Sequence, residues 1–212
     1  MLHKETVSPL LLEVLKRLQS FPELKDFVLV GGTALSLQIG HRKSVDIDLF
    51  TAGDFPEDIL PLFLKENGFN FRQQSRFKGG LFGHIENIKV DFIRHGYPWV
   101  KPWIEEEGIR MASLDDIAAM KLNAITGSGS RLKDYVDIGF LSSSMSLNEM
   151  LNRYQEKYPD VNAVMALKSL CYFEDIDFSP EIDYAGKDLD WPIVQQRLLD
   201  MVKNPEKRFD GL

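Results

Sequence analysis

Two hydrophobic periods alternate along the first half of the chain. Leu11, Leu12, Leu15 and Leu18 recur at helical spacing with Lys and Glu between them, which predicts an amphipathic surface helix. The apolar run 27–30 (FVLV) ends at Gly31-Gly32, the pattern of a buried strand followed by a tight turn. Thr33 is placed to cap a short helix, TALSLQIG, closed by Gly40. Residues 45–50 (VDIDLF) alternate with a period of two, as a half-buried strand does. Pro56 then opens a helix, PEDILPLFLKEN, ended by Gly68, and FNFRQQ, GLFGHIE and IKVDFI read as strands, the last two as a hairpin.

The second half changes to helical period. Ser113 and Asp116 form a capping-box pattern before SLDDIAAMKLNAI, and RLKDYVDIGFLSS follows a Gly/Ser linker. Ser146 and Glu149 repeat the cap, DVNAVMALKSLCYF makes a fourth helix, and WPIVQQRLLDMV a fifth. The expected fold class is α+β (α/β): a mixed-sheet domain over residues 1–110, then a helical bundle over 111–212.

Composition adds boundaries to this picture. No apolar run approaches the roughly 18–20 residues that span a bilayer, and the N-terminus does not read as a signal peptide, so a cytoplasmic protein is expected. The single cysteine, Cys171, precludes an internal disulfide and reads as a buried thiol rather than a nucleophile. A net charge of −7 argues against a protein that coats nucleic acid nonspecifically. The charge is uneven, however: residues 71–101 carry six Lys or Arg (Arg72, Arg76, Lys78, Lys89, Arg94, Lys101) against Glu86 and Asp91, giving +4 there and −11 elsewhere. Phe77, Phe82, Phe92, Tyr97 and Trp99 are interleaved with them, consistent either with a solvated face over core aromatics or with a path for a phosphate backbone.

The candidate chemistry begins at Asp46 and Asp48. Two apart on a strand, they leave the same face, while Val45, Ile47 and Leu49 are expected to point into the core. Adjacent like charges repel unless a cation compensates, and Mg²⁺ or Mn²⁺ suits carboxylate oxygens. Such Asp-x-Asp pairs are common on solvated strands, so the surroundings matter. Gly31, Gly32 and Thr33 at a strand-to-helix turn allow close approach of a phosphate, and Arg42, Lys43 and Ser44 supply donors just before the acids. Asp91, on IKVDFI, completes a triad if that strand pairs beside VDIDLF. Three carboxylates could hold two ions about 3.5–4 Å apart, clamping the attacking and leaving oxygens of an in-line displacement.

With those residues in view, GGTALSLQIGHRKSVDIDLF resembles the signature of DNA polymerase β-like nucleotidyltransferases. Combined with SLDDIAAMKLNAI, RLKDYVDI and LCYFEDID, in order over most of residues 27–202, the chain is similar to the AbiEii/AbiGii-type toxins of bacterial abortive-infection and toxin–antitoxin pairs. The resemblance implies a nucleotidyltransferase core over residues 1–110 and a helical part over 111–212. It also implies a nucleoside triphosphate substrate, an RNA acceptor such as tRNA, and a cognate antitoxin. It makes Lys121 part of the active site and matches Asp134 to the family's helical-domain aspartate.

Read from the residues alone, Lys121 lies on the helix face of Leu114, Ala118 and Ile125 and could instead snorkel at a core edge. Arg131, Lys133, Asp134 and Asp137 form a charged cluster in which Asp134 shares a face with Ile138 and Leu141, and Asp137 reads as structural. The second Asp-x-Asp, at 175–177, has no glycine turn or phosphate donors before it and reads as a turn. His41, His84 and His95 lack metal-ligand spacing. Two alternatives stay open: a small-molecule (antibiotic-type) acceptor, and a nucleotide-binding module without turnover.

Overall fold

The alternating runs at 45–50 and 88–93 become neighbouring parallel strands at the centre of a mixed seven-stranded sheet in the computed structural model, which describes residues 1–186 and 188–212. Its strands are β1 (Val28–Leu29), β2 (Ile47–Thr51), β3 (Phe71–Phe77), β4 (Gly80–Ile85), β5 (Ile88–Arg94), β6 (Ile104–Glu106) and β7 (Ile109–Met111). They lie in the order β3-β4-β5-β2-β1-β7-β6, with β2–β5 and β1–β7 parallel and the other neighbours antiparallel. The chain divides into two compact units, 1–98 with 102–112 and 99–101 with 113–212, and the sheet belongs to the first.

Helices α1 (Pro9–Gln19), α2 (Gly31–Ile39) and α3 (Leu60–Glu66) complete the first unit. The Ser8 hydroxyl accepts from the Leu11 amide and Pro9 stands in the first turn, so α1 starts where its pattern says. Leu11, Leu15 and Leu18 are buried with Leu29, Leu35, Leu49, Val90 and Phe92. The β4–β5 hairpin turns through Glu86 and Asn87, both at positive φ (48° and 69°), the backbone of a primed turn whose twist matches its strands.

Three local expectations need correction, and one hairpin lies outside them. Thr33 is not a cap: α2 already starts at Gly31, and Val30 stands at the N-cap without a side-chain bond. Val45 is 66% exposed because β2 begins only at Ile47, so the core face of that strand is Ile47 and Leu49 alone. Pro56 opens a turn rather than a helix, and α3 starts at Leu60. The β6–β7 hairpin is not predicted at all: β6, with Glu105 and Glu106, shows no apolar alternation, β7 alternates over only three residues, and pairing of β7 with β1 is what stabilises them.

The second unit holds α4 (Leu114–Gly127), α5 (Leu132–Leu141), α6 (Leu147–Lys157), α7 (Ala163–Leu170) and α8 (Trp191–Lys203) around Leu122, Tyr135, Leu141, Met150, Tyr154 and Leu198. Ser113 and Ser146 cap α4 and α6 as expected, with the reciprocal Glu149 bond present at α6. A buried ion pair, Lys157 Nζ to Asp116 Oδ1 at 2.8 Å, ties the strip 99–101 to this unit. Asp116 also accepts from the amides of Val100 (3.0 Å) and Lys101 (3.1 Å), and Lys157 lies 4.8 Å from the centre of the Trp99 ring. A charge pair this dry is tolerated because its remaining lone pairs are satisfied. Among the described residues no helix is long and apolar enough to cross a membrane.

Candidate functional site

The corner between β1 and α2 is shaped by what its glycines leave out. Gly31 has φ +68°, and a Cβ there would lie 2.8 Å from Asp48 Oδ2. A Cβ on Gly32 would run into the Arg42 guanidinium, so Gly32 is required by close approach and Gly31 by close approach and conformation together. Arg42, only 3% exposed, donates from Nη1 to the Lys43 carbonyl at 3.0 Å. The Thr33 hydroxyl reaches the Asp46 carbonyl and stands 2.8 Å from Ser44 Oγ, fastening the 41–46 loop to the first turn of α2. The Val30 amide donates to the Asp48 carbonyl at 2.9 Å, fixing the turn against β2.

On that frame the acids converge. In the parallel β2–β5 ladder Asp48 is the register partner of Asp91, so the two carboxylates leave the same face of adjacent strands, which are about 4.8 Å apart. Asp46 lies one residue before β2, at its mouth. Asp91 is 4% exposed, and while its Oδ2 accepts from Lys89 Nζ at 2.6 Å, its Oδ1 is buried without a hydrogen-bond partner. A buried carboxylate oxygen left unsatisfied costs free energy until something supplies a positive partner.

Lys89 was legible only as one charge in the basic window, yet its position two before Asp91 on an alternating strand is the signal that would have found it. Partial burial pulls its ammonium pKa down, but the hydrogen bond to Asp91 and the charges of Asp91, Asp48 and Asp46 outweigh this and raise it. Lys89 thus serves as a counter-ion within the acid group.

Whether a divalent ion suits these residues can be judged from the donors. The carboxylates are hard oxygen ligands, and Asp91 Oδ1 lacks a partner, which fits such an ion. Among the described residues no group of three His, Cys, Asp or Glu is gathered to hold an ion as it stands. Magnesium is usually held by one or two carboxylates plus substrate phosphates, and Asp48 and Asp91 side by side match that pattern.

In the second unit, Lys121 is 5% exposed and its Nζ lies 2.6 Å from both Asp134 Oδ1 and Asp137 Oδ2. Arg131, immediately before α5, approaches Asp134 Oδ2 at 3.7 Å. Asp137 is therefore as much a partner of Lys121 as Asp134 is. Residues 174–177 form a turn, and Asp177 pairs by backbone with Arg131, its amide donating to the Ser130 carbonyl at 2.9 Å. Cys171 is half-buried at the end of α7, and burial pushes its thiol pKa up, away from nucleophilic use.

Comparison with known proteins gives the family and the fold. The sequence profile of the family described as nucleotidyl transferase AbiEii toxin, type IV TA system, matches residues 13–210. An uncharacterized protein of Aquifex aeolicus (strain VF5) is 34% identical over 168 residues, 77% of this chain and 81% of that protein. Two crystal structures from Helicobacter pylori share the fold at 18% identity. A candidate nucleotidyltransferase superposes with TM-score 0.59 over 96% of this chain and 93% of its own, and JHP933 with TM-score 0.56 over 93% and 89%. By the match along nearly its whole length, this chain belongs to the AbiEii nucleotidyl transferase toxin family.

Proposed function

We propose that the chain transfers a nucleoside monophosphate from a nucleoside triphosphate to a hydroxyl of an RNA acceptor. The observation carrying this reading is the Asp48–Asp91 register pair, with its unsatisfied Asp91 oxygen, beside the Gly31-Gly32 corner. The acceptor oxygen forms a bond to the α-phosphorus, the bond from that phosphorus to the pyrophosphate oxygen breaks, and pyrophosphate departs. Asp91, buried beside Asp48, is the carboxylate suited to take the hydroxyl proton. Asp48 and Asp91, with Asp46 beside them, would hold a divalent ion, Mg²⁺ or Mn²⁺, and that ion would supply neutralisation of the phosphate charge.

The chain's own residues supply the rest. Gly31 and Gly32 let phosphate oxygens approach the backbone at the start of α2, Thr33 holds the loop, and Arg42 and Ser44 are the nearby donors. On the family resemblance, Lys121 with Arg131 and Asp134 around it is the second unit's own candidate nucleotide-binding group. The family description also supports action as the toxin of a pair, with a separately encoded antitoxin as partner.

The test incubates the protein with each α-labelled triphosphate, Mg²⁺ or Mn²⁺, and total RNA. Label should enter a discrete RNA band, and Asp48→Asn should reduce incorporation by at least ~100-fold with an unchanged circular dichroism spectrum, the scale of removing one charge-stabilising group. Equal incorporation by wild type and Asp48→Asn would refute the assignment. Label in a small molecule instead of RNA would keep the transferase and reject its acceptor.

A further inference from the structure

The sheet face that carries Asp48 and Asp91 does not stop at β5. Paired residues of neighbouring strands share a face, and the ladders connect Asp91 to Phe82 on β4 and Phe82 to Ser75 on β3. One row along, Lys89 pairs with His84, and His84 with Arg72. Burial follows the same division: Leu81, Ile85, Val90 and Phe92 on the opposite face are at most 1% exposed, whereas Phe82, His84 and Lys89 are only partly covered and β3 is exposed almost throughout.

Two local devices shape this face. A register shift between Gln73 and Ser75 inserts Gln74 as a bulge, which turns Phe77 onto the same face as Arg72 instead of the opposite one. Gly80, the cross-strand partner of Phe77, leaves the space in which its ring lies: a Cβ there would be 2.6 Å from Phe77 Cζ and 2.9 Å from Phe82 Cε2. The two rings sit 5.2 Å apart at 32°, and Phe77 remains 58% exposed. An apolar ring held open to solvent beside a second one, on a strand that burial does not require to be aromatic, points to a flat ligand.

We infer that the β3–β4–β5 face is a platform for single-stranded RNA, whose bases stack on Phe77 and Phe82 while Arg72 and His84 meet the backbone, leading a terminal hydroxyl toward Asp91. Charge favours an anionic occupant locally, since this face carries Arg72 and Lys89 against Asp91. Stacking on aromatic side chains combined with cationic side chains along the backbone is the general way proteins hold unpaired strands. The inference rests on the proposed transfer to RNA, but binding is measured without any triphosphate, so the two can fail separately.

Fluorescence anisotropy with a labelled single-stranded RNA of about 12 nucleotides bearing a free 3′-hydroxyl provides the test, since single-strand sites of this kind span ~4–16 nucleotides. Phe77→Ala should weaken binding roughly 5- to 100-fold, the range for losing one stacked base. Arg72→Gln should lower the slope of log affinity against log salt by about 0.7, one phosphate contact on a single strand. Leu62→Ala, a comparably exposed apolar residue on α3 (56%), should change nothing, and a duplex of the same sequence should bind more weakly. Unchanged affinity of Phe77→Ala, or duplex bound as tightly as single strand, overturns the platform even if nucleotide transfer occurs. Label transferred to a protein or small molecule, with RNA binding indifferent to Phe77, would assign the face to another occupant and reject the inference.

Discussion

Single side chains in this protein often serve stability and candidate chemistry together, and Lys121 shows how this complicates mutagenesis. Its ammonium separates two buried carboxylates, Asp134 and Asp137, that are 2% and 0% exposed. Removing it leaves two acids facing each other away from water, and breaking such a buried pair costs about 3–5 kcal/mol. We therefore expect Lys121→Met to lower the unfolding free energy by roughly that amount in denaturant titration, so loss of activity in this variant alone would say little about catalysis. A midpoint equal to wild type would show that the pair contributes no net stability. Asp48 is the better probe, because its carboxylate is half-exposed at a strand partner position and the amide of Asn is nearly its shape.

At the scale of elements, caps and turns decide where structure starts. The reciprocal bonds of Ser146 and Glu149 start α6, and Arg208 reaches the same carboxylate. The Arg208 guanidinium and the Ser146 amide hold the Glu149 carboxyl down to about 2 from its ordinary 4.5. A depressed carboxylate stabilises the folded state above its unfolded pKa and loses that contribution as pH falls through the folded value. Wild type should accordingly melt above Glu149→Gln at neutral pH, and the gap should close between pH 4.5 and about 2, as thermal scans across that range would record. Because the carboxylate is largely exposed, the gap is modest, and a gap that survives at pH 2 would assign it to packing. In the first unit the bulge at Gln74 and the open ring of Phe77 are element-scale features of another kind, serving a surface rather than a core.

At the scale of the whole molecule, the three acids depend on folding for their proximity, so what binds them should stabilise the fold. A ligand present at 100 times its dissociation constant adds about 2.7 kcal/mol when it binds only the native state. Mn²⁺ together with the preferred triphosphate should raise the melting temperature of wild type by several degrees and leave that of Asp48→Asn near its unliganded value, as differential scanning calorimetry would measure. An equal rise in both proteins would place the ion elsewhere.

Much of this protein follows from its sequence alone. The period-two alternation of 45–50 and 88–93, the helical spacing after Ser113 and the Gly31-Gly32 corner are local patterns, and burial of one face enforces them wherever they occur. Asp46, Asp48 and Asp91 stand out for the same reason, as acids in strands that otherwise build a core. Beyond the β4–β5 hairpin, local pattern does not say which strands become neighbours. Only the tertiary structure made β2 and β5 parallel partners in the register that opposes Asp48 to Asp91, inserted Lys89 among the acids, and formed β7 against β1 from an alternation only three residues long. Those outcomes depend on pairing between segments distant in the chain, where backbone hydrogen bonds and packing across the ladder outweigh local preference.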